Sequence, residues 1–172
     1  MLKYFLPAEH VKTVYDIKPT HLKDKGIKAI ITDLDNTLVE WDRPLATPEL
    51  MIWLQSMKDA GIDVTIVSNN NMKRVQAFCE PLGIPFIHEA RKPMRRAFRR
   101  ALNNMNVKPE EAVVIGDQLM TDVLGGNRQG LHTILVVPVA QTDGFFTKFN
   151  RMMERRILNW LRKKGMLHWE EK

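Results

Sequence analysis

Cysteine occurs once in the 172 residues, at Cys79. A single thiol excludes an intramolecular disulfide and any zinc cluster built on cysteines. Cys79 reads as a helix core residue rather than a reactive group. No stretch of about eighteen apolar residues is present, so no segment reads as a membrane-spanning helix. Met1 to His21 holds no long apolar run followed by small residues, and the expectation is a cytoplasmic chain without a secretory leader. Repeats and low-complexity tracts are also missing, which excludes solenoid and disordered-linker architectures. What remains is an ordinary globular composition, 44% apolar and 27% charged, long enough for one domain with a sizeable core.

Acidic side chains are in the minority, 20 against 26 Lys and Arg, for a net charge of +6. The excess is unevenly spread. From Gln141 to the end there are eight Lys or Arg and four Asp or Glu. Between Arg91 and Arg100 lie Arg91, Lys92, Arg95, Arg96, Arg99 and Arg100 with no acid. Such blocks suit a polyanionic partner: a phosphate-rich substrate, an anionic membrane surface or a nucleic acid. The arginine pairs 95/99 and 96/100 read either as a phosphate-facing surface or as a solvated face.

Short apolar runs alternate with helical patterns. Strands are predicted over Ile27–Thr32, Asp63–Val67, Ile84–Ile87, Ala112–Ile115 and His132–Val137. Thr47-Pro48 supplies a helix cap and first turn, Leu50, Trp53, Leu54 and Met57 follow at helical spacing, and Gly61 ends the pattern. Val75, Phe78 and Cys79 mark a second helix. Pro93 starts a third, with Ala97, Phe98, Ala101, Leu102 and Met105 on one side. A fourth covers Thr121 to Arg128. Strands separated by helices imply right-handed crossovers, and hence an α/β, Rossmann-like parallel sheet of five strands with helices on both faces. The expected organisation is a core over 1–140 and a basic amphipathic helical segment over 141–172, packed on or appended to it. Ligands of such sheets bind where strands end. Asp33 and Asp35 follow the first strand, Ser68 the second and Gly116-Asp117 the fourth, while Lys92 stands at the start of the helix after the third.

Asp33-Leu34-Asp35 places two carboxylates just past a strand, where a cation offsets their repulsion. Taken alone this is also a solvated turn, and Gly116-Asp117 is also a common turn dipeptide. Taken together, Asp33-Leu34-Asp35-Asn36-Thr37, Ser68-Asn69, Lys92 and Gly116-Asp117-Gln118 with Asp122 resemble, in order, the four motifs of the haloacid dehalogenase-like phosphatases. The resemblance implies Asp33 as nucleophile and Asp35 as general acid, then base, for hydrolysis through a phospho-aspartate. It implies Ser68 and Lys92 on the phosphoryl group. Mg²⁺ would be held by Asp33, Asp117 and the backbone carbonyl of Asp35, with Asp122 beside Lys92 or a metal-bound water. Thr37 anchors the loop or touches substrate. Asn69 is a further candidate substrate contact, although Asn69, Asn70 and Asn71 also read as the cap of the next helix.

About thirty residues separate Asp35 from Ser68, and about two dozen separate Ser68 from Lys92. Neither gap has room for the cap domain of larger superfamily members, so the fold is expected to be capless and the site open. The stretch from Pro138 to Arg151 and the four motifs together resemble the YqeG-type branch of subclass IIIA, itself similar to mitochondrial phosphatidylglycerophosphate phosphatase. That resemblance implies a lipid phosphomonoester as substrate and phosphatidylglycerol as product. On a helical projection of residues 145–162, Phe145, Phe146, Phe149, Met152, Met153, Ile157 and Trp160 share one side, and Lys148, Arg151, Arg155 and Arg162 the other. Arg156 interrupts the apolar side and Leu158 the basic one. This pattern fits a helix lying in an anionic membrane interface, or a helix whose apolar side packs on the core. Two other classes stay open: a phosphatase of a soluble sugar or nucleotide ester or of a phosphorylated macromolecule, and a binding module for RNA or the ribosome, against which the intact motif set argues.

Overall fold

The structure, a computed structural model, describes residues 2–140 and 145–167, with the backbone alone for 145–150. Six strands form one all-parallel sheet: β1 (Glu9–Val11), β2 (Ala29–Thr32), β3 (Asp63–Val67), β4 (Phe86–Ile87), β5 (Ala112–Gly116) and β6 (His132–Val136), in the order β1-β6-β5-β2-β3-β4. The helices are α1 (Pro19–Asp24), α2 (Pro48–Asp59), α3 (Met72–Cys79), α4 (Arg95–Met105), α5 (Leu124–Asn127) and α6 (Phe145–Lys163).

All four residues of β2 and all five of β5 are buried, as continuous apolar strands covered on both faces must be. Strand alternation divides the core. Ile30, Val113 and Ile115 pack with Leu50, Trp53, Met57, Val75 and Phe78 of α2 and α3. Ala29, Ile31, Ala112 and Val114 pack with Ala97, Phe98, Ala101 and Leu102 of α4. The expected caps hold these helices: Thr47 Oγ1 accepts the Leu50 N–H at 3.1 Å, and Asn71 Oδ1 accepts the Arg74 N–H at 3.0 Å. Between β2 and β3 the only regular element is α2, and no inserted domain stands over the sheet among the described residues.

Three sequence expectations need correction. The sheet has six strands, not five. β1 is a three-residue edge strand of Glu9, His10 and Val11, paired on one side only, to β6. It has no apolar run to announce it; Glu9 instead bonds His132 and His21 across the edge. The third helix starts at Arg95, leaving Lys92 and Pro93 in the preceding loop. The predicted helix over 121–128 is a wide π turn, Leu119–Val123, running into the short α5. Such turns concentrate at functional sites, and this one carries Asp122.

α6 also departs from the projection. The residues it buries are Glu154, Leu158 and Leu161, while Met152 and Trp160 are exposed. Leu158 packs with Leu119, Val123 and Leu135. The buried stripe therefore runs along i, i+4, i+7 on the side that Leu158 appeared to interrupt, and the apolar Met152–Trp160 side faces out. Phe145, Phe146, Lys148 and Phe149 lie outside the described side chains.

Candidate active site

β2 and β5 are neighbours from which the sheet is built outward in opposite directions, so the loops after them diverge and leave a crevice. Asp33 and Asp117 stand at that switch point. The Asp33 N–H still donates to Ile115 O at 3.0 Å, which extends the ladder one residue past β2. The Asp33 carboxylate is thereby fixed at the strand end, and its Oδ1 accepts the Leu34 N–H at 2.8 Å. Beyond it the chain turns sharply: Asn36 adopts φ 62°, a conformation asparagine tolerates, and its N–H donates to Val39 O at 2.7 Å. This turn carries Asp35 away from Asp33 and Thr37 back under the sheet end.

Lys92 lies between two carboxylates. Its Nζ is 2.6 Å from Asp122 Oδ1 and 3.0 Å from Asp33 Oδ1. Burial by itself would lower the pKa of Lys92, but the Asp122 and Asp33 charges outweigh it and hold the ammonium above the ordinary lysine range. Asn69 positions this loop through the Lys92 backbone: its Oδ1 accepts the Lys92 N–H at 2.7 Å, and its Nδ2 donates to the Lys92 carbonyl at 3.4 Å. Asp122 reaches Lys92 because residue 116 is glycine. A Cβ there would sit 2.2 Å from the Asp122 Cγ. Burial pushes Asp122 up to about 6, against the opposing Lys92 charge.

Asp35 faces a different environment. Its Oδ2 accepts from Asn70 Nδ2 at 2.9 Å, and its Oδ1 accepts from Arg74 Nε and Nη2 at 3.1 and 3.0 Å. Desolvation still raises its pKa above the usual aspartate value, against these donors. Ser68 Oγ accepts the Asn70 N–H at 3.1 Å, so its hydroxyl proton remains to be donated. Asp33, Asp35, Trp41, Ser68, Asn69, Lys92, Gln118 and Thr121 are among the residues lining a cleft of about 260 Å³.

Asp33, Asp117 and Asp122 each place a carboxylate oxygen within 4.8 Å of the others. Thr37 Oγ1 donates to Asp117 Oδ1 at 2.9 Å, whereas the buried Asp117 Oδ2 receives no hydrogen bond among the described residues. Burial, then the charges of Asp33 and Asp122, lift Asp117 well above the usual carboxylate range. A buried, crowded and incompletely satisfied set of hard oxygens fits a hard divalent cation.

The structure thus brings together Asp33, Asp35, Ser68, Asn69 and Lys92 around the cleft, with Asp117 and Asp122 behind them. Thr37 is buried and directed at Asp117, not at the cleft. The Asp35 side chain is turned away from the acidic trio and toward Arg74. Sequence reasoning missed Arg74, Asn70 as an Asp35 partner, and the half-exposed Trp41. No local pattern signals Arg74 as an active-site residue; its guanidinium lies 5.6 Å over the Phe78 ring one turn on, which orients it toward Asp35. Arg95 and Arg99 do not face the cleft. With Arg128 they rim a separate groove lined also by Leu102, Val107 and Pro109.

The haloacid dehalogenase-like hydrolase family matches residues 20–130. The probable phosphatase YqeG of Bacillus subtilis (strain 168) is 66% identical over 169 residues, covering 98% of both chains. Phosphatidylglycerophosphate phosphatase 1, chloroplastic/mitochondrial, of Arabidopsis thaliana is 28% identical over 94% of this chain, which spans 49% of that protein. Among solved structures, the cobalt-bound deoxy-D-mannose-octulosonate 8-phosphate phosphatase of Haemophilus influenzae superposes with a TM-score of 0.55 at 19% identity, over 84% of this chain and 95% of that one, a likeness of fold.

Proposed function

The chain belongs to the haloacid dehalogenase-like hydrolases, and from that premise we propose that it is a Mg²⁺-dependent phosphomonoesterase working through a phospho-aspartate on Asp33. The observation that carries this reading is the division of labour between two carboxylates. Asp33 is locked at the end of β2 with Lys92 3.0 Å away, while Asp35, two residues on, is held apart by Asn70 and Arg74. In this reading Asp33 attacks phosphorus in line, forming the Asp33 O–P bond as the ester P–O bond breaks. Asp35 gives its proton to the departing alkoxide and then takes one from the water that attacks the phospho-aspartate. Lys92 and the Ser68 hydroxyl hold the phosphoryl oxygens and oppose their charge. Asp33, Asp117 and the Asp35 carbonyl would hold Mg²⁺, with Asp122 fixing Lys92. When bound, the ion screens the anionic nucleophile from the anionic phosphoryl group.

A lipid phosphomonoester of the phosphatidylglycerophosphate type is the substrate we infer. Three observations support it. The Arabidopsis protein of that name is similar along nearly this whole chain. No inserted domain covers the cleft of about 260 Å³ among the described residues, so the bulk of a large substrate can stay outside it. And α6 turns exposed Met152 and Trp160 outward beside exposed Arg155, Arg156 and Lys163, a composition suited to an anionic membrane surface. No helix among the described residues is long and apolar enough to cross a membrane.

The test is a phosphate-release screen over lipid, sugar and nucleotide monoesters, with Mg²⁺ and with excess chelator. Release from phosphatidylglycerophosphate in mixed micelles, abolished by chelator and restored by Mg²⁺, is the expected result. Undiminished release in chelator would remove the metal from the mechanism, and preference for a soluble ester would transfer the assignment to that class.

A further inference from the structure

We propose that Arg151 of α6 is a positioning residue for Asp117, so that docking of α6 and occupation of the cation site are a single linked equilibrium. The proposal rests on the reading of Asp117 as a cation ligand.

Arg151 behaves unlike the other described cations of its helix. Arg155, Arg156 and Lys163 are exposed, as a basic tail would have them. The Arg151 side chain keeps 24% of its exposure, and its Nη2 lies 4.0 Å from Asp117 Oδ2. That oxygen is the one left without a hydrogen bond, since Thr37 holds Oδ1. At 4.0 Å the contact is longer than a hydrogen bond but well within the range of strong attraction in a site shielded from water. Arg151 belongs to α6, so the contact reaches Asp117 from that helix.

A second contact grips the same stretch of chain. One turn beyond Arg151, Glu154 Oε1 accepts the Met120 N–H at 3.4 Å. A further turn on, Leu158 packs with Leu119 and Val123, and Leu161 is fully buried. α6 therefore touches the segment from Asp117 to Val123, which holds Asp117 and Asp122, through a charge, a backbone hydrogen bond and an apolar contact in register. Among the described residues, Lys92 lies against Asp33 and Asp122, and Arg151 is the cation beside Asp117.

With Thr37 on Oδ1 and Arg151 toward Oδ2, the carboxylate is held from both sides and can keep its plane when a cation takes a remaining lone pair. Outer partners of this kind typically change metal affinity about 10- to 100-fold when removed. Linkage makes the effect reciprocal: whatever undocks α6 weakens cation binding, and cation binding tightens α6.

The test uses the full chain and Mg²⁺ alone. Calorimetric titration should show Arg151→Met binding Mg²⁺ at least about tenfold more weakly than wild type, with part of the loss recovered in Arg151→Lys. Leu158→Asn, which loosens α6 without altering a charge near the site, should weaken Mg²⁺ binding in the same direction. Hydrogen exchange of the wild type needs no variant: α6 amides should exchange more slowly with Mg²⁺ than without, and Arg151→Met should lose that difference. Equal or tighter Mg²⁺ binding by Arg151→Met, the latter showing that the guanidinium competes with the ion, overturns the proposal. So does α6 exchange indifferent to Mg²⁺. A wild type that binds no Mg²⁺ removes the premise as well, and is thereby distinguished from failure of the Arg151 role alone.

Discussion

The strand-end rim and helix α6 meet at Asp117, yet they hold their charges in opposite ways. On the rim, Asp33, Lys92 and Asp122 are buried and locked into reciprocal contacts of 2.6 and 3.0 Å. On α6, Arg155, Arg156, Arg162 and Lys163 stand in solvent, and among the described side chains only Arg151 is turned in. Buried charges tolerate one arrangement, because any other leaves an unpaired ion in a poorly solvating interior. Exposed charges tolerate many. The rim is therefore a place where residue identity dictates geometry, and the outer face of α6 a place where only the sum of charge and apolar area matters.

The rim should fail on single substitutions. Asp33→Asn removes the proposed nucleophile and should lower turnover by at least about 10³-fold while abolishing acid-stable or trapped phosphoenzyme. Stopped and steady-state phosphate release read it, and near-normal turnover would refute the covalent route. Next in size, Lys92→Met leaves Asp33 and Asp122 buried without their shared cation. Breaking such a pair costs about 3–5 kcal/mol, so chemical denaturation should show a large loss of stability in the absence of added metal. A variant as stable as wild type would mean that the carboxylates are better solvated than their burial implies.

The α6 face should fail only by accumulation. Exchanging Arg155, Arg156 and Lys163 together for Gln should weaken binding to anionic vesicles by about 3 kcal/mol, somewhat over a hundredfold, at about 1 kcal/mol for each side chain near the surface. Co-sedimentation measures it, and turnover of a soluble ester should be unchanged because no rim residue is touched. Failure of the wild type to sediment with such vesicles would dissolve the contrast by making the outer face a merely solvated one.

Glu154 lies between the two regimes. Burial lifts it to about 7 from its ordinary 4.5, against hydrogen bonds from the Met120 and Leu119 backbone. The folded protein then holds this proton more tightly than the unfolded chain, so the contribution of Glu154 to stability falls as pH rises from about 4.5 to about 7 and stays low above. Glu154→Gln keeps an acceptor for Met120 and carries no charge. It should match wild type near pH 4.5 and exceed it above pH 7, by on the order of 2–3 kcal/mol. Denaturation midpoints of both proteins across this range test the sign; a difference independent of pH would show that Glu154 reaches water.

Much of the rim was legible in the chain itself. Ile30-Ile31-Thr32 followed by Asp33 states both a buried strand and a carboxylate at its end, because strand, turn and functional group are contiguous. The same holds for β3 before Ser68 and β5 before Asp117, and for the helix stripes Leu50, Trp53, Leu54, Met57 and Ala97, Phe98, Ala101, Leu102. α/β alternation and the positions of the chemistry follow from such local patterns, since a strand's period and a helix cap are set by neighbouring residues. Tertiary structure alone decided the rest. β1 exists because β6 offers its edge to Glu9–Val11 across more than a hundred residues of chain. Arg74 became a partner of Asp35, and Arg151 of Asp117, through contacts between distant segments. The helical projection of α6 distinguished its faces but could not say which one the sheet would take. A projection weighs hydrophobicity around a cylinder, whereas the face that docks is the one on which Leu158 meets Leu119, Val123 and Leu135 and Arg151 lies 4.0 Å from Asp117.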